Sequence, residues 1–432
     1  MAFVEPTDLP HLDRVPHDQV RQLEAALLAQ QSTIEYWFRR QWRHTRPPLY
    51  ASVDLRNAGF KLTPVDTNLF PAGFNNLAPG CHALCVQAMR QAIERSCPTA
   101  SRVLIIPESH TRNPYYLDSL GTLASLVSQA GFEVRIGSLR PDLNAPEPLG
   151  TAIAPHLQLE PLTRNGARLG VRNFDPCLIL LNNDLSGGMP PILDGLEQNV
   201  LPPTALGWTH RSKQHHFALY AEVADEFAAQ LGLDPWLITP DSRYCGQVDF
   251  QKREGLDCLT ANGQALFDHI RARYAERDID HPPFLIVKAD AGTYGMGVMS
   301  IRSIEELTQI NRKTRSKMSS AKEGLPISRV LLQEGIPTAE TWGVEAAVAE
   351  PVVYMIDATV VGGFYRVHAQ RGPTENLNAP GMEFHPLPFC EPCICPDLNR
   401  EPDAGPNRFY TYGVIARLAL LAAAREMAEI KA

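Results

Sequence analysis

Phe284-Leu-Ile-Val-Lys288-Ala-Asp-Ala-Gly292-Thr-Tyr-Gly295-Met-Gly297-Val298 is the stretch on which the reading of this chain turns. Its first four residues are an apolar, buried-strand run that delivers Lys288 to the strand end. Gly292, Gly295 and Gly297 then let backbone N–H groups approach phosphate oxygens closely. A lysine ammonium there can balance charge on α- and β-phosphates. No Gly-Lys-Ser/Thr closes the loop, so it is not the Walker pattern. Nor do the glycines open a helix at once, as a dinucleotide fold requires. The competing reading is a glycine-rich hairpin with no ligand.

Outward from this stretch the chain alternates helix and strand. Residues 82–97 have helical spacing, 102–107 a buried-strand pattern, 116–130 helical spacing, and 132–136 and 177–181 strand patterns. Such alternation predicts an α/β fold with a mostly parallel sheet. Ligands there sit beyond the carboxyl ends of strands, and 108–113 and 182–184 are polar ends of that kind. Upstream, a helix is expected over 18–44, stopped by Pro47 and Pro48. Strands at 50–55 and 60–65 flank the turn Asn57-Ala58-Gly59. Downstream, helices are expected at 212–231, 266–276, 304–313 and 413–430, and strands at 330–333, 352–356 and 360–365. We divide the chain into 1–80, 81–205 and 206–432.

Composition narrows the function. The chain has 432 residues, 44% apolar and 20% charged, enough for a large core in two or three domains. A net charge of −8 with scattered arginines argues against nucleic acid. Arg417 and Arg425 break the longest apolar run, so no membrane span is expected, and the polar N-terminus lacks signal-peptide character. A cytoplasmic protein is expected. Nine cysteines suit reduced thiols. Cys390, Cys393 and Cys395 cluster without a fourth ligand at finger spacing, and read as free surface thiols.

Several segments carry a resemblance. Val330-Leu-Leu-Gln333-Glu334-Gly335-Ile336 resembles the hinge strand of ATP-grasp enzymes, whose backbone takes the adenine amino group. That makes Gln333, Glu334 and Ile336 nucleotide contacts. Glu345, in Gly343-Val344-Glu345, resembles the acid of that family near the ribose or metal. Lys213, in His210-Arg-Ser-Lys213, resembles the first nucleotide lysine of glutathione synthetase. Arg366 ends a strand-like run ten residues before Asn376-Leu-Asn378-Ala-Pro-Gly381. This is similar to the glutathione synthetase segment in which an arginine faces the transferring phosphoryl group. A guanidinium suits that task, being planar, permanently charged and able to bridge two oxygens. His215 and His216 read as helix residues.

ATP-grasp enzymes carry their metal ligands near the C-terminus, and this chain lacks the expected strand pair there. A matching segment lies at the other end: Asp54-Leu-Arg56-Asn-Ala-Gly-Phe-Lys61-Leu-Thr-Pro-Val-Asp66-Thr-Asn68-Leu-Phe-Pro71-Ala-Gly73-Phe74. Asp66 and Asn68, two apart on a strand, face one side. With Asp54 they offer hard oxygen ligands for Mg²⁺. We therefore expect a circular permutation that places residues 50–74 against the strand around Lys288. The competing reading is a substrate loop or a capped hairpin.

Together the Asp54, Lys288 and Arg366 segments resemble the proteobacterial glutamate–cysteine ligase family over nearly the whole length. The resemblance implies an ATP-grasp, glutathione-synthetase-like fold using ATP and Mg²⁺. It implies ligation of the γ-carboxylate of glutamate to the amine of cysteine through an acyl phosphate, the first step of glutathione synthesis. Arg56, Lys61, Asn75, Asn76, Glu108 and Arg112 are candidate substrate residues, each equally a turn cap or surface group. Glutathione synthetase, another carboxylate–amine ligase, or a catalytically silent nucleotide-binding protein would use the same nucleotide residues. A nicotinamide-binding dehydrogenase does not fit, since no Gly-x-Gly-x-x-Gly follows an early strand. The expected partners are small molecules, with a homo-oligomer left open.

Overall fold

The strand Tyr50–Asn57 alternates apolar Ala51, Val53 and Leu55 with Ser52, Asp54 and Arg56, so its two faces bury different things. The first set packs into the core around the C-terminal helix. The second faces the rest of the molecule. Asn57 Oδ1 accepts the Gly59 N–H at 2.9 Å and turns the chain, with Gly59 in the left-handed region. The chain then returns antiparallel as Leu62–Asn68. A computed structural model supplies these coordinates, and it describes residues 19–109, 113–291, 297–319, 327–387 and 408–431.

This hairpin does not stand alone. Tyr50–Asn57 pairs antiparallel with Ala347–Ile356, which pairs with Thr359–His368, which pairs with Glu383–Pro386. One antiparallel sheet thus joins strands from the two ends of the chain. A second, mostly parallel sheet runs Asn199–Leu201, Leu178–Asn182, Arg102–Pro107, Glu133–Ser138 and Gln158–Pro161, with Glu147–Pro148 antiparallel at its edge. The expected α/β alternation is found there. A third, antiparallel sheet orders Ser242–Cys245, Val330–Glu334, Leu285–Ala289 and Val298–Ile301. Of its two inner strands, Leu285–Ala289 carries Lys288 and lies beside Val330–Glu334.

The helix Arg408–Lys431 is buried throughout residues 410–424. A helix apolar on all sides belongs inside a protein, and this one packs against both hairpin strands and against Lys213–Leu231. Three sets of polar contacts fix it. Arg417 donates to both oxygens of Glu35 at 2.7 Å. Tyr412 hydrogen-bonds Glu340. Glu426 receives Arg211 at 2.9 Å and also bonds the His216 ring. Among the described residues no helix is long and apolar enough to cross a membrane.

Several boundaries differ from the sequence reading. The first helix is two, Gln19–Ala29 and Gln31–His44, broken at Gln30. The expected 60–65 strand is Leu62–Asn68, because pairing with the first strand carries it on past Asp66. The 266–276 helix begins at Leu256. The 304–313 helix is a short turn, Glu305–Thr308, followed by Arg312–Ser319. Cys390, Cys393 and Cys395 lie outside the described residues.

Candidate active site

A cleft lies between the first hairpin and the Lys288 strand. Strand registers build its polar wall. Asp54 and Asp66 sit directly opposite one another on the hairpin. Glu350 and Arg366 are opposed in the same way on the neighbouring strands. Arg366 Nη1 donates to Asp54 Oδ2 at 2.8 Å and to Glu350 Oε1 at 2.5 Å. Arg366 Nε is buried without a partner.

Lys288 closes the cleft from the other side. Its Nζ donates to the Val65 carbonyl and to Gln333 Oε1, both at 2.6 Å. Residues 50–74 therefore do lie against the Lys288 strand. Among the described residues no carboxylate pairs with this ammonium, although its side chain is buried. Burial drives its pKa down to about 8, with Asp66 offsetting only part of that. Gln333 Nε2 is also buried and unpartnered. That amide nitrogen is a buried donor without an acceptor, beside a lysine whose two acceptors are neutral.

Lys213 begins the helix Lys213–Leu231, which Ser212 caps by accepting the His215 N–H at 3.2 Å. Its Nζ reaches Asp66 Oδ1 at 2.5 Å and lies over the Trp208 ring. Burial works to raise the Asp66 carboxyl, but Lys213, Lys288 and Arg211 outweigh it and hold it at about 2. The Asp66 side chain keeps 37% of its surface exposed, so solvent screens part of that pull. Burial raises Asp54 in spite of Arg366. Burial opposes ionisation of Glu350 too, yet Arg56 and Arg366 hold it below the usual carboxylate range.

Apolar Val65, Ile286, Ala289, Val298 and Ile336 form the rest of the wall with Gln333 and Glu334. Asn376 and Asn378 close one side, the first accepting the backbone N–H of the second at 2.9 Å. Gly297 has φ +62°, and a Cβ there would lie 2.6 Å from Ile327 Cδ1. The left-handed backbone is what favours glycine there, since the Ile327 side chain could move aside. Gly292, Gly295 and Arg112 lie outside the described residues.

Other expected residues are placed elsewhere. Asn68 turns its carbonyl back to accept the Phe70 N–H at 2.9 Å and does not line the cleft. Glu345 is exposed on the turn before Ala347–Ile356, and Glu350 is the acid that reaches the site. Lys61 is fully buried, pairing with Glu334 at 2.5 Å and lying over Trp236. It is no wall residue, because the turn after Asn57 directs it into the third sheet's core. Arg56 lines the cleft, but its guanidinium holds Glu350 and the carbonyls of Ile336, Pro373 and Glu375. Glu108 accepts the Asp184 N–H at 3.0 Å at the end of the parallel sheet. Asn75 and Asn76 lie in a short helical turn, Phe74–Asn76. None of these last three lines the cleft.

The missed residue is Glu350. Its signal is an acid inside the otherwise apolar strand Ala347–Ile356, a position that demands a cationic partner.

A sequence model of the glutamate-cysteine ligase family matches residues 24–427. The chain is similar to a crystal structure of a provisionally assigned gamma-glutamylcysteine synthetase from Methylobacillus flagellatus KT. They share 54% identity with a TM-score of 0.90, over 98% of this chain and 99% of that one. It is distantly similar to D-alanyl-alanine synthetase A from Vibrio cholerae, at 10% identity and a TM-score of 0.36 over 74% and 81% of the two chains. A glutathione synthetase-like effector from Globodera pallida gives 9% and 0.32 over 81% and 78%. No curated protein matches the sequence.

Proposed function

The chain belongs to the glutamate–cysteine ligase family, and we propose that its reaction takes place in the cleft between the first hairpin and the Lys288 strand. The protein is an ATP-dependent ligase that joins the γ-carboxylate of glutamate to the amine of cysteine. The observation that carries the site assignment is the buried Lys288 ammonium, which faces the cleft with only neutral oxygens as partners. An uncompensated buried cation is costly, and a polyphosphate would supply its counter-charge.

The nucleotide's phosphates lie toward Lys288 and Lys213, and its base lies against Ile286, Val298 and Ile336 beside the hinge strand. The glutamate γ-carboxylate attacks the γ-phosphorus and ADP leaves. The cysteine amine then attacks the acyl carbon of the acyl phosphate, loses a proton and expels phosphate. Such transfer is governed by positioning and by neutralisation of charge. Arg366 has an unpaired Nε and is the group for the transferring phosphoryl. Asp54 and Glu350 hold that guanidinium in place. Asn376 and Asn378 add polar contacts to the same end.

Magnesium is implied by the fold family, and Asp54 and Asp66 fit it as two hard oxygen donors on paired strands. Mg²⁺ often takes one or two carboxylates, with phosphates and water completing its shell. When bound, the ion shields phosphate charge.

The hairpin's place in the sheet supports a permuted arrangement in which residues 1–80 serve the 206–432 catalytic region and 81–205 form the substrate domain. Among the described residues Cys85, Cys97, Cys177, Cys245 and Cys258 form no disulfide, which supports a cytoplasmic setting.

The roles separate by experiment. Lys288→Met should weaken ATP binding, read by calorimetry, by roughly 30-fold or more, as expected for loss of a buried charge-assisted contact. Arg366→Lys should leave ATP binding within about threefold while lowering kcat by roughly 10²-fold, as for other transition-state donors. Normal ATP affinity in Lys288→Met would overturn the nucleotide assignment.

A further inference from the structure

A second, open cavity lies at the far ends of the strands that carry the site. Pro47 and Thr359 line it, just before and at the starts of the strands Tyr50–Asn57 and Thr359–His368. Asp54 and Arg366 lie roughly 14 and 24 Å further along those strands, at about 3.4 Å per residue. The cavity is therefore separate from the ligase cleft, with which it shares no lining residue.

Its lining holds Arg39, Arg43, Arg46, Arg95 and Arg417 against a single acid, Glu35, in a chain whose net charge is −8. Two of the five charges are answered. Arg417 is paired with Glu35, and Arg95 with Asp357 at 2.6 Å. Arg39, Arg43 and Arg46 are exposed at the cavity's rim and have no carboxylate partner among the described residues. Arg39 and Arg43 are one turn apart on the helix Gln31–His44, a spacing at which like charges repel. The helix dipole favours a cation in the last turn, which accounts for Arg43. It does not account for Arg39 and Arg46 converging on the same cavity. Trp42 adds an aromatic wall.

We propose that this cavity is a binding site for a small polyvalent anion bearing phosphate or carboxylate groups. Unpaired guanidiniums recognise such groups through paired, parallel hydrogen bonds.

The test titrates inorganic pyrophosphate, and separately citrate, into the full chain carrying Lys288→Met, which removes the cleft's own phosphate cation. One probe should bind at one site. The tighter of the two identifies phosphate or carboxylate as the chemistry. Adding R39Q/R43Q/R46Q should weaken that binding by roughly 30-fold or more, given the strength of charge-assisted hydrogen bonds. The same three substitutions in the otherwise unchanged protein should leave ligase turnover intact. Arg43→Gln alone, a mild change on a helix surface, should weaken binding roughly fivefold and serves if the triple variant does not fold. Binding of neither probe, or the same affinity with and without the arginines, would overturn the proposal.

Discussion

Lys288 concentrates the chemistry of the cleft at one atom. Burial lowers its pKa to about 8, whereas a bound polyphosphate favours its charged form. Below about pH 8 the lysine is already protonated and ATP meets a cation. Above it the lysine is neutral, and binding must take up a proton. The affinity for ATP should therefore fall as pH rises from about 8 toward 10, approaching tenfold per unit, and calorimetry in buffers of different ionisation enthalpy should show net proton uptake. A flat profile with no uptake would remove Lys288 from the phosphate site.

Residues of this kind were legible because each sits at the end of a recognisable run. Lys288 closes an apolar strand, Lys213 opens a helix, and Arg366 precedes an Asn-rich turn. Glu350 and Glu345 are five positions apart, and only strand register separates a buried acid from an exposed turn acid. Lys61 read as a candidate substrate residue because its partner, Glu334, is 273 residues away and invisible to local pattern. Asn68 was placed on the correct strand, but its side chain closes a local turn.

At the scale of elements, the hairpin is fastened to the third sheet by that same Lys61–Glu334 pair. Glu334 also accepts the Asp241 N–H and the Tyr274 hydroxyl. Removing one member of a fully buried pair leaves the other uncompensated and typically costs about 3–5 kcal/mol. Lys61→Met should lower stability by about that amount in denaturant unfolding, yet leave the KM for glutamate and for cysteine within about twofold. Lys61→Met/Glu334→Gln should recover much of the lost stability, since a neutral pair lacks the stranded charge. A large rise in KM for glutamate without loss of stability would instead return Lys61 to the substrate pocket.

On the scale of the whole molecule, the sheet that joins Tyr50–Asn57 to Ala347–Ile356 explains how a chain can hold its proposed metal residues near one end and its arginine near the other. The sequence pattern of Asp54, Asp66 and the turn between them pointed to this arrangement before any contact was known. The parallel sheet was equally legible from alternation. The central position of the Arg408–Lys431 helix was not, because an apolar run alone does not say which strands it covers. Its Glu426 ties Arg211 and His216 beside Thr67, the neighbour of Asp66. The last helix thereby supports the strand that carries the candidate metal residue.

The most direct measurement is ADP release by the purified chain with Mg-ATP, across pairs of amino acids, with the product identified by mass spectrometry. The account predicts release that requires glutamate and cysteine together and yields γ-glutamylcysteine. Release only with γ-glutamylcysteine and glycine, or none with any pair despite ATP binding, would contradict it.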